Sequence, residues 1–357
     1  MTTELRPSAD LAELPTGARL EVRAVAAAVV VIVIAAVASM AIGPADIGVM
    51  QVAKELLDGV PFLEFDSGLS TTEAAIVEKI RLPRLVLGLM VGSLLAMSGA
   101  AYQGSFRNPL ADPYLLGIAA GAGLGATIVI TQRLGDGAGF FDPVPLAAFA
   151  GGLGAVWLSY TAGRLAGNTT VSLVLAGVAV ASFLTACQTF VLQSNADAIQ
   201  EVYAWILGRI ATSGWGEPLL LLPYFVVTSA VVLRYRRALD VLAVGDEEAM
   251  ALGMRPNRIR LAVVLAASLG TSAAVAVSGL IGFVGIIVPH TVRLIFGASH
   301  RVLLPLSILF GAAFMVSADL VARTVLEPAE LPIGVVTAFI GAPFFALVLR
   351  SSRREVW

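Results

Sequence analysis

The chain is short of charge. Of 357 residues only 13% are charged, 23 basic and 25 acidic, where globular chains carry roughly a quarter. So few charges cannot clothe a core drawn from the 58% of residues that are hydrophobic, and a soluble two-domain protein is excluded. The same composition excludes a disordered chain, and a net charge of −2 gives nucleic acid nothing to bind. A single cysteine, Cys187, rules out an internal disulfide framework and any cysteine-cluster metal site. Lysine is almost missing. Lys54 and Lys79 are the only two, and neither follows a Gly-x-x-x-x-Gly sequence, so no phosphate-binding P-loop is present. There is no His-Glu-x-x-His zinc motif and no Gly-x-Ser-x-Gly nucleophile elbow. His290 and His300 stand apart and read as structural residues. No catalytic residue, metal ligand or cofactor of the chain's own is expected.

Long apolar runs are what the sequence has instead, with a mean hydropathy of +0.88. A membrane helix needs about 20 predominantly apolar residues. Such runs fall near 24–43, 85–106, 114–132, 144–163, 171–192, 217–233, 261–281, 302–322 and 332–349. A shorter run, 283–296, is broken by Pro289 and carries His290 and Arg293. Charge parity decides whether it crosses. The loop 234–260 holds Arg234, Arg236, Arg237, Arg255, Arg258 and Arg260, which marks it as cytoplasmic. The tail with Arg350, Arg353 and Arg354 is cytoplasmic by the same rule. Two cytoplasmic ends need an even number of crossings between them, so 283–296 counts as a short span. Working backward, Arg164, Arg107 and the N-terminal Arg6, Arg19 and Arg23 also fall inside. This puts 16 of the 23 basic residues in the cytoplasm and seven outside. The expected fold is therefore all-α and polytopic, with ten transmembrane helices and both termini cytoplasmic. It forms a single transmembrane domain over 1–357, with a cytoplasmic tail at 1–23. Ser39-Met40-Ala41 has the small residues of a signal cleavage site, but the apolar run is too long for one, so a retained first helix is expected.

Glycine is frequent, at 35 residues. Gly117, Gly121 and Gly125 recur every four residues, as do Gly88 and Gly92, and are expected to let helix backbones approach in lipid. Ionisable groups inside the membrane are few. Asp319, toward the outer end of the ninth span, is the one carboxylate an ion-coupled carrier could use. The cytoplasmic stretch 239–253 is too short and too charged to cross. Asp246 and Glu247 suit the start of a short helix and Gly253 its end, while Ala249, Met250 and Leu252 would offer an apolar face. The acidic start disfavours lipid headgroups, so a protein partner is the expected occupant of that face.

Several blocks resemble one family, the FecCD-type permeases, which are membrane subunits of ABC importers for ferric siderophores, haem, cobalamin and related chelates. They are Arg81-Leu82-Pro83-Arg84, Gly99-Ala100-Ala101-Tyr102-Gln103, Arg107-Asn108-Pro109-Leu110-Ala111-Asp112-Pro113 and Leu115-Leu116-Gly117-Ile118. The resemblance continues through Gly245 to Gly253, through Gly279-Leu280-Ile281-Gly282-Phe283-Val284-Gly285 with Pro289-His290, and through Glu330-Leu331-Pro332-Ile333-Gly334-Val335-Val336-Thr337. It implies a second permease subunit, identical or related, two cytoplasmic ATPases that bind ATP and magnesium, and an extracytoplasmic substrate-binding protein, assembled in a bacterial cytoplasmic (inner) membrane. The segment 239–256, with Gly245, Asp246, Glu247, Ala249, Leu252 and Gly253, looks like the family's coupling helices, which dock on the ATPase. Asn108 and Leu110, and the Asn168-Thr169-Thr170 loop, match its cytoplasmic gate, although Val171 stands where some relatives carry a hydroxyl. A plain helix cap is the competing reading of Asn108. Arg81, Arg84 and Arg323 match positions that meet acidic residues on the binding protein. An ion-coupled secondary transporter using Asp319 is the alternative.

Overall fold

The computed structural model describes residues 20–43, 45, 47–58, 65–134, 142–167, 169–210, 212 and 214–352. The N-terminal tail to Arg19, Asn168, Arg353 and Arg354 lie outside the described residues. Among the described residues every regular element is helical. In order these are α1 (Val22–Ala41), α2 (Val49–Asp58), α3 (Thr71–Ile76), α4 (Leu82–Phe106), α5 (Ile118–Gln132), α6 (Pro143–Leu165), α7 (Thr170–Gln193) and α8 (Ile199–Ile206). They continue as α9 (Gly216–Arg234), α10 (Arg236–Val244), α11 (Asp246–Ala251), α12 (Pro256–Ser278), α13 (Val284–Phe296), α14 (His300–Thr324) and α15 (Ile333–Ser352). Seven helical stretches are long and apolar enough to cross a membrane, and Ile118–Gln132, Val284–Phe296 and Ile333–Val348 are shorter apolar helices. Together they occupy the positions of all ten expected spans.

One stretch runs well beyond its expected length. The sequence places the second span at 85–106, yet helix continues unbroken over Thr71–Phe106, 36 residues. Ser70 starts it with a reciprocal capping box to Glu73. Between α3 and α4 a single π turn covers Val77–Arg81, where the Leu82 N–H donates to Val77 five residues back. Pro83 accounts for it: it brings no N–H and its ring crowds the carbonyl four residues earlier, so the helix widens instead of breaking.

Helix α4 is the centre of the molecule. Every residue from Met90 to Ser105 is buried, which a helix achieves only when neighbours surround it. It packs against α9, α12, α13 and α14. Close approach depends on particular glycines. A Cβ on Gly92 would collide with the Gly311 carbonyl of α14, and one on Gly99 with the backbone of Gly285 in α13. Gly121 and Gly125 bring α5 against α6 in the same way. Two expectations fail here. Gly88 has only ordinary contacts, and so has Gly117, which faces Ala155 and Val180 and ends the turn Pro113–Leu116 in the left-handed region at φ 81°.

α13 is the helix expected to be a short span. Its 13 residues rise about 20 Å, against about 30 Å of hydrocarbon. The non-helical stretch 279–283 precedes it inside the protein, where exposed polar backbone would be intolerable in lipid. Neighbours satisfy that backbone: the Tyr114 hydroxyl donates to Ile281 O at 3.0 Å, and Arg209 N–H donates to Ser278 O at 2.8 Å. α7 is the opposite of α4, with Val171, Leu175, Phe183 and Phe190 all exposed.

Candidate functional site

The residues singled out by sequence gather at two ends of the bundle. At the outer end, the π turn aims Arg81 across to α1. Its guanidinium donates to Met40 O at 2.5 Å, Ala41 O at 3.3 Å and Ala45 O at 2.5 Å. These include the last carbonyls of α1, which have no partner within their own helix and carry its negative dipole end. Arg323, from α14, donates to the backbone carbonyl of Ser39 and to its hydroxyl at 2.9 Å. Arg84 lies between two carboxylates. It holds Asp319 through Nε at 3.1 Å and Nη2 at 2.8 Å, and Glu330 through Nη1 at 2.8 Å and Nη2 at 3.0 Å. Both pairings use the guanidinium fork, which suits planar carboxylates.

The structure therefore brings Arg81, Arg84 and Arg323 together at one end of the bundle and turns them inward. Arg81 is 6% exposed and Arg323 8%. Carbonyls near the end of α1 accept from both guanidinium groups, and Asp319 lies 3.8 Å from Arg323, because a guanidinium with no partner at this depth would be far costlier. What the cluster shows to the outside is the Glu330 carboxylate, 50% exposed, over one edge of Arg84. Its hydrogen bonds from Arg84 hold Glu330 below the ordinary glutamate range. Asp319 is the converse, with a side chain 5% exposed, paired to Arg84 and 3.8 Å from Arg323. A carboxylate committed to two arginines is not a free ion-binding group, and the ion-coupled reading loses its one candidate.

At the inner end the segment after α9 folds into two helices. Capping and periodicity point to one, starting at Asp246, whereas the family resemblance implies coupling helices in the plural, as found. Tyr235 breaks the chain from α9 and α10 follows; Gly245, extended and buried, turns it into α11; Gly253 stops it at φ 76°. Leu239, Leu242 and Ala249 are buried, so Ala249 anchors the segment and does not join its exposed face. That face consists of Val244, Met250 at 55% and Leu252 at 70% exposure, with Glu247 and Glu248 also exposed.

Two arginines, Arg107 and Arg260, hold the start of α11. Asp246 accepts from Arg260 at 2.6 and 3.0 Å and pairs with Arg107. Arg107 also donates to Leu242 O at 2.6 Å, and Arg260 to Ser105 O at 2.9 Å. The Arg260 hydrogen bonds, helped by both positive charges, hold the Asp246 carboxyl below its usual range. Asp240 on α10 reaches the start of α14, accepting from the Ser299 hydroxyl at 2.9 Å, His300 N–H at 2.5 Å and the His300 ring at 3.0 Å. Burial pushes the Asp240 carboxyl up, but the hydrogen bonds outweigh it and the net direction is down. Sequence reasoning missed Asp240, Arg107 and Arg260 as the clamps. Ser299 occupies the capping position of α14 but makes no side-chain cap; the cap comes from Asp240, distant in sequence.

The gate residues divide. Asn108 Oδ1 accepts from Leu110 N–H at 2.9 Å in a local turn, and no helix starts there for it to cap. Thr169 caps α7, accepting from Ser172 N–H at 3.1 Å. Thr169 and Thr170 line a cavity of about 370 Å³ shared with Arg164, Asp246, Asn257 and Arg260. The start of α7 and the coupling segment thus meet across one space lined by both polar and apolar groups.

A bundle of apolar helices around one buried central helix, with a clamped amphipathic segment at the basic end, defines a multi-pass membrane transport subunit. The chain belongs to the FecCD transport family, matching it over residues 31–351. It is 46% identical over 291 residues, 81% of this chain and 76% of the relative, to the cobalamin import system permease protein BtuC of Halobacterium salinarum. It is 36% identical over 315 residues, covering 88% and 90%, to the Fe(3+)-citrate import system permease protein YfmD of Bacillus subtilis. Among solved structures it superposes with a TM-score of 0.79 and 28% identity on an ABC transporter assigned to the metal-chelate type and captured facing inward, covering 92% of this chain and 99% of that one.

Proposed function

We propose that the chain is the permease subunit of an ABC importer that moves an iron-siderophore, haem or cobalamin-type chelate into the cytoplasm by alternating access. It crosses a bacterial cytoplasmic (inner) membrane ten times with both ends inside. The observation that carries this reading is the segment α10–α11: apolar Met250 and Leu252 project outward from a helix pinned to the membrane core by Asp246, Arg107 and Arg260. A face rigidly held and left apolar suits a groove on a partner. Force entering there reaches α4 through Arg107 and α14 through the Asp240 clamp.

The energy comes from two partner ATPases that hold ATP and magnesium, since this chain carries no P-loop of its own. A second permease subunit, the same or related, completes the pathway, and an extracytoplasmic binding protein delivers the ligand to the outer rim. There Arg84 is the docking group, its outer edge shared with Glu330. The buried Arg81 and Arg323 position that rim. Thr169, Thr170, Asn108 and Leu110 border the inner opening. Reconstitution of the complex in proteoliposomes, with ferric siderophore, haemin and cobalamin offered in turn, tests the ligand class: ATP-dependent uptake of one of them is expected, and uptake of none would reject it.

A further inference from the structure

The sequence shows no membrane helix between α1 and α3, yet α2 is strongly amphipathic and its apolar side has no partner among the described residues. At 3.6 residues per turn Val49, Met50, Ala53, Leu56 and Leu57 fall within an arc of roughly 120°. All five are exposed, Met50 by 70%. The helix packs on the protein by a different face. There Val52 is buried beside Val77 and Met40, and Glu55 accepts from the Ser67 hydroxyl at 2.6 Å. Lys54 and Asp58 flank the apolar arc on the exposed side.

The depth of α2 follows from its neighbours. Arg81 bonds the outer end of α1, and the Val77–Arg81 turn meets α2 at that level. From Arg81 to Phe106 the helix rises about 38 Å, against about 30 Å of hydrocarbon and 40–45 Å with the headgroup layers. The level of α2 is therefore the outer headgroup region. The exposed side of α1 leads up to it through Ile34, Val37 and Ile42, a face that can only meet lipid or another protein within the membrane.

We infer that α2 is an interfacial anchor whose Val49, Met50, Ala53, Leu56 and Leu57 face enters the outer boundary of the lipid bilayer. The helix lies in the interface plane, as amphipathic helices at this depth do. Lys54 is balanced by Glu55 and Asp58, so no basic face exists to seek anionic headgroups, and apolar burial alone drives the contact. The anchor fixes the height of the α1 end, and with it the Arg81, Arg84 and Arg323 rim.

The test uses the full chain in lipid vesicles. With Cys187→Ser as background, the single variants Met50→Cys, Ala53→Cys, Leu57→Cys, Lys54→Cys and Asp58→Cys are labelled with a nitroxide. The probes are oxygen, which concentrates in lipid, and a water-soluble nickel chelate. At 50, 53 and 57 the oxygen-to-nickel accessibility ratio should be several-fold higher than at 54 and 58. It should be the same in phosphatidylcholine vesicles with and without phosphatidylglycerol. Equal ratios at all five positions would overturn the inference. So would protection at 50 and 57 that appears in native membranes but not in pure lipid, since a protein would then cover the face.

Discussion

Arg107 ties the end of α4 to Asp246 in the first turn of α11. It stands in the left-handed region at φ 50°, one residue before Asn108, and its guanidinium also holds Leu242 O. The central helix, the inner loop and the exposed coupling face are therefore joined through one side chain. A push on α11 is delivered to α4 without passing through a flexible loop.

Asp246→Asn should loosen that joint. The pair is partly exposed, so the stability cost is small, at most about 1 kcal/mol, but ATP hydrolysis should uncouple from uptake. The pH dependence has a definite sign. Arginine contacts hold the folded pKa of Asp246 below its unfolded value, near 3.9. Its contribution is fully present above that unfolded value and disappears as pH falls through the folded one. Thermal unfolding should therefore separate the native chain from Asp246→Asn at pH 7, and the gap should close toward pH 3. A gap that widens in acid would contradict the assignment.

Leu252→Asp places a carboxylate on the exposed apolar face. Desolvating it in a partner's groove costs several kcal/mol, while the free chain loses nothing because Leu252 is already in water. The variant should insert and purify normally yet lose its ATPase. Intact ATPase association would move the contact elsewhere.

Arg84→Ala and Glu330→Gln separate the two sides of the outer cluster. Removing Arg84 leaves the buried Asp319 with only the more distant Arg323, a loss of about 3 kcal/mol. Glu330→Gln leaves the inner pair intact and should change stability by less than about 1 kcal/mol. Unfolding in detergent reads both. Similar costs for the two variants would mean that Asp319 is stabilised by something other than Arg84.

The ten-crossing topology is open to labelling with an impermeant thiol reagent in a Cys187→Ser background. Ser70→Cys and Asp197→Cys should react in intact cells, whereas Glu248→Cys and Ser352→Cys should react only after lysis. Reaction of Ser352→Cys from outside would mean that Val284–Phe296 does not cross.

Most of the helical plan is written in the sequence, because lipid demands long apolar runs and arginines mark the inner side. The expected 144–163 and 302–322 appear as Pro143–Leu165 and His300–Thr324. What was illegible has specific causes. Thr71–Arg81 reads as a loop because Glu73, Glu78 and Lys79 interrupt its hydrophobicity, although its capping box and Pro83 shape a continuous helix. α2 is too short to register as a span. Arg81 and Arg323 read as exposed because sequence gives their side of the membrane but not the helix-end carbonyls waiting for them. Ala249 reads as part of a docking face because periodicity alone cannot say which side of a short helix meets the core.

Purification of the tagged chain from its native membranes tests the central proposal most directly. An ABC ATPase should accompany it in equal amount and hydrolyse ATP in a vanadate-sensitive manner, and both should vanish with Leu252→Asp. A chain that comes alone, and that by itself drives ligand uptake into vesicles on an ion gradient, would contradict it.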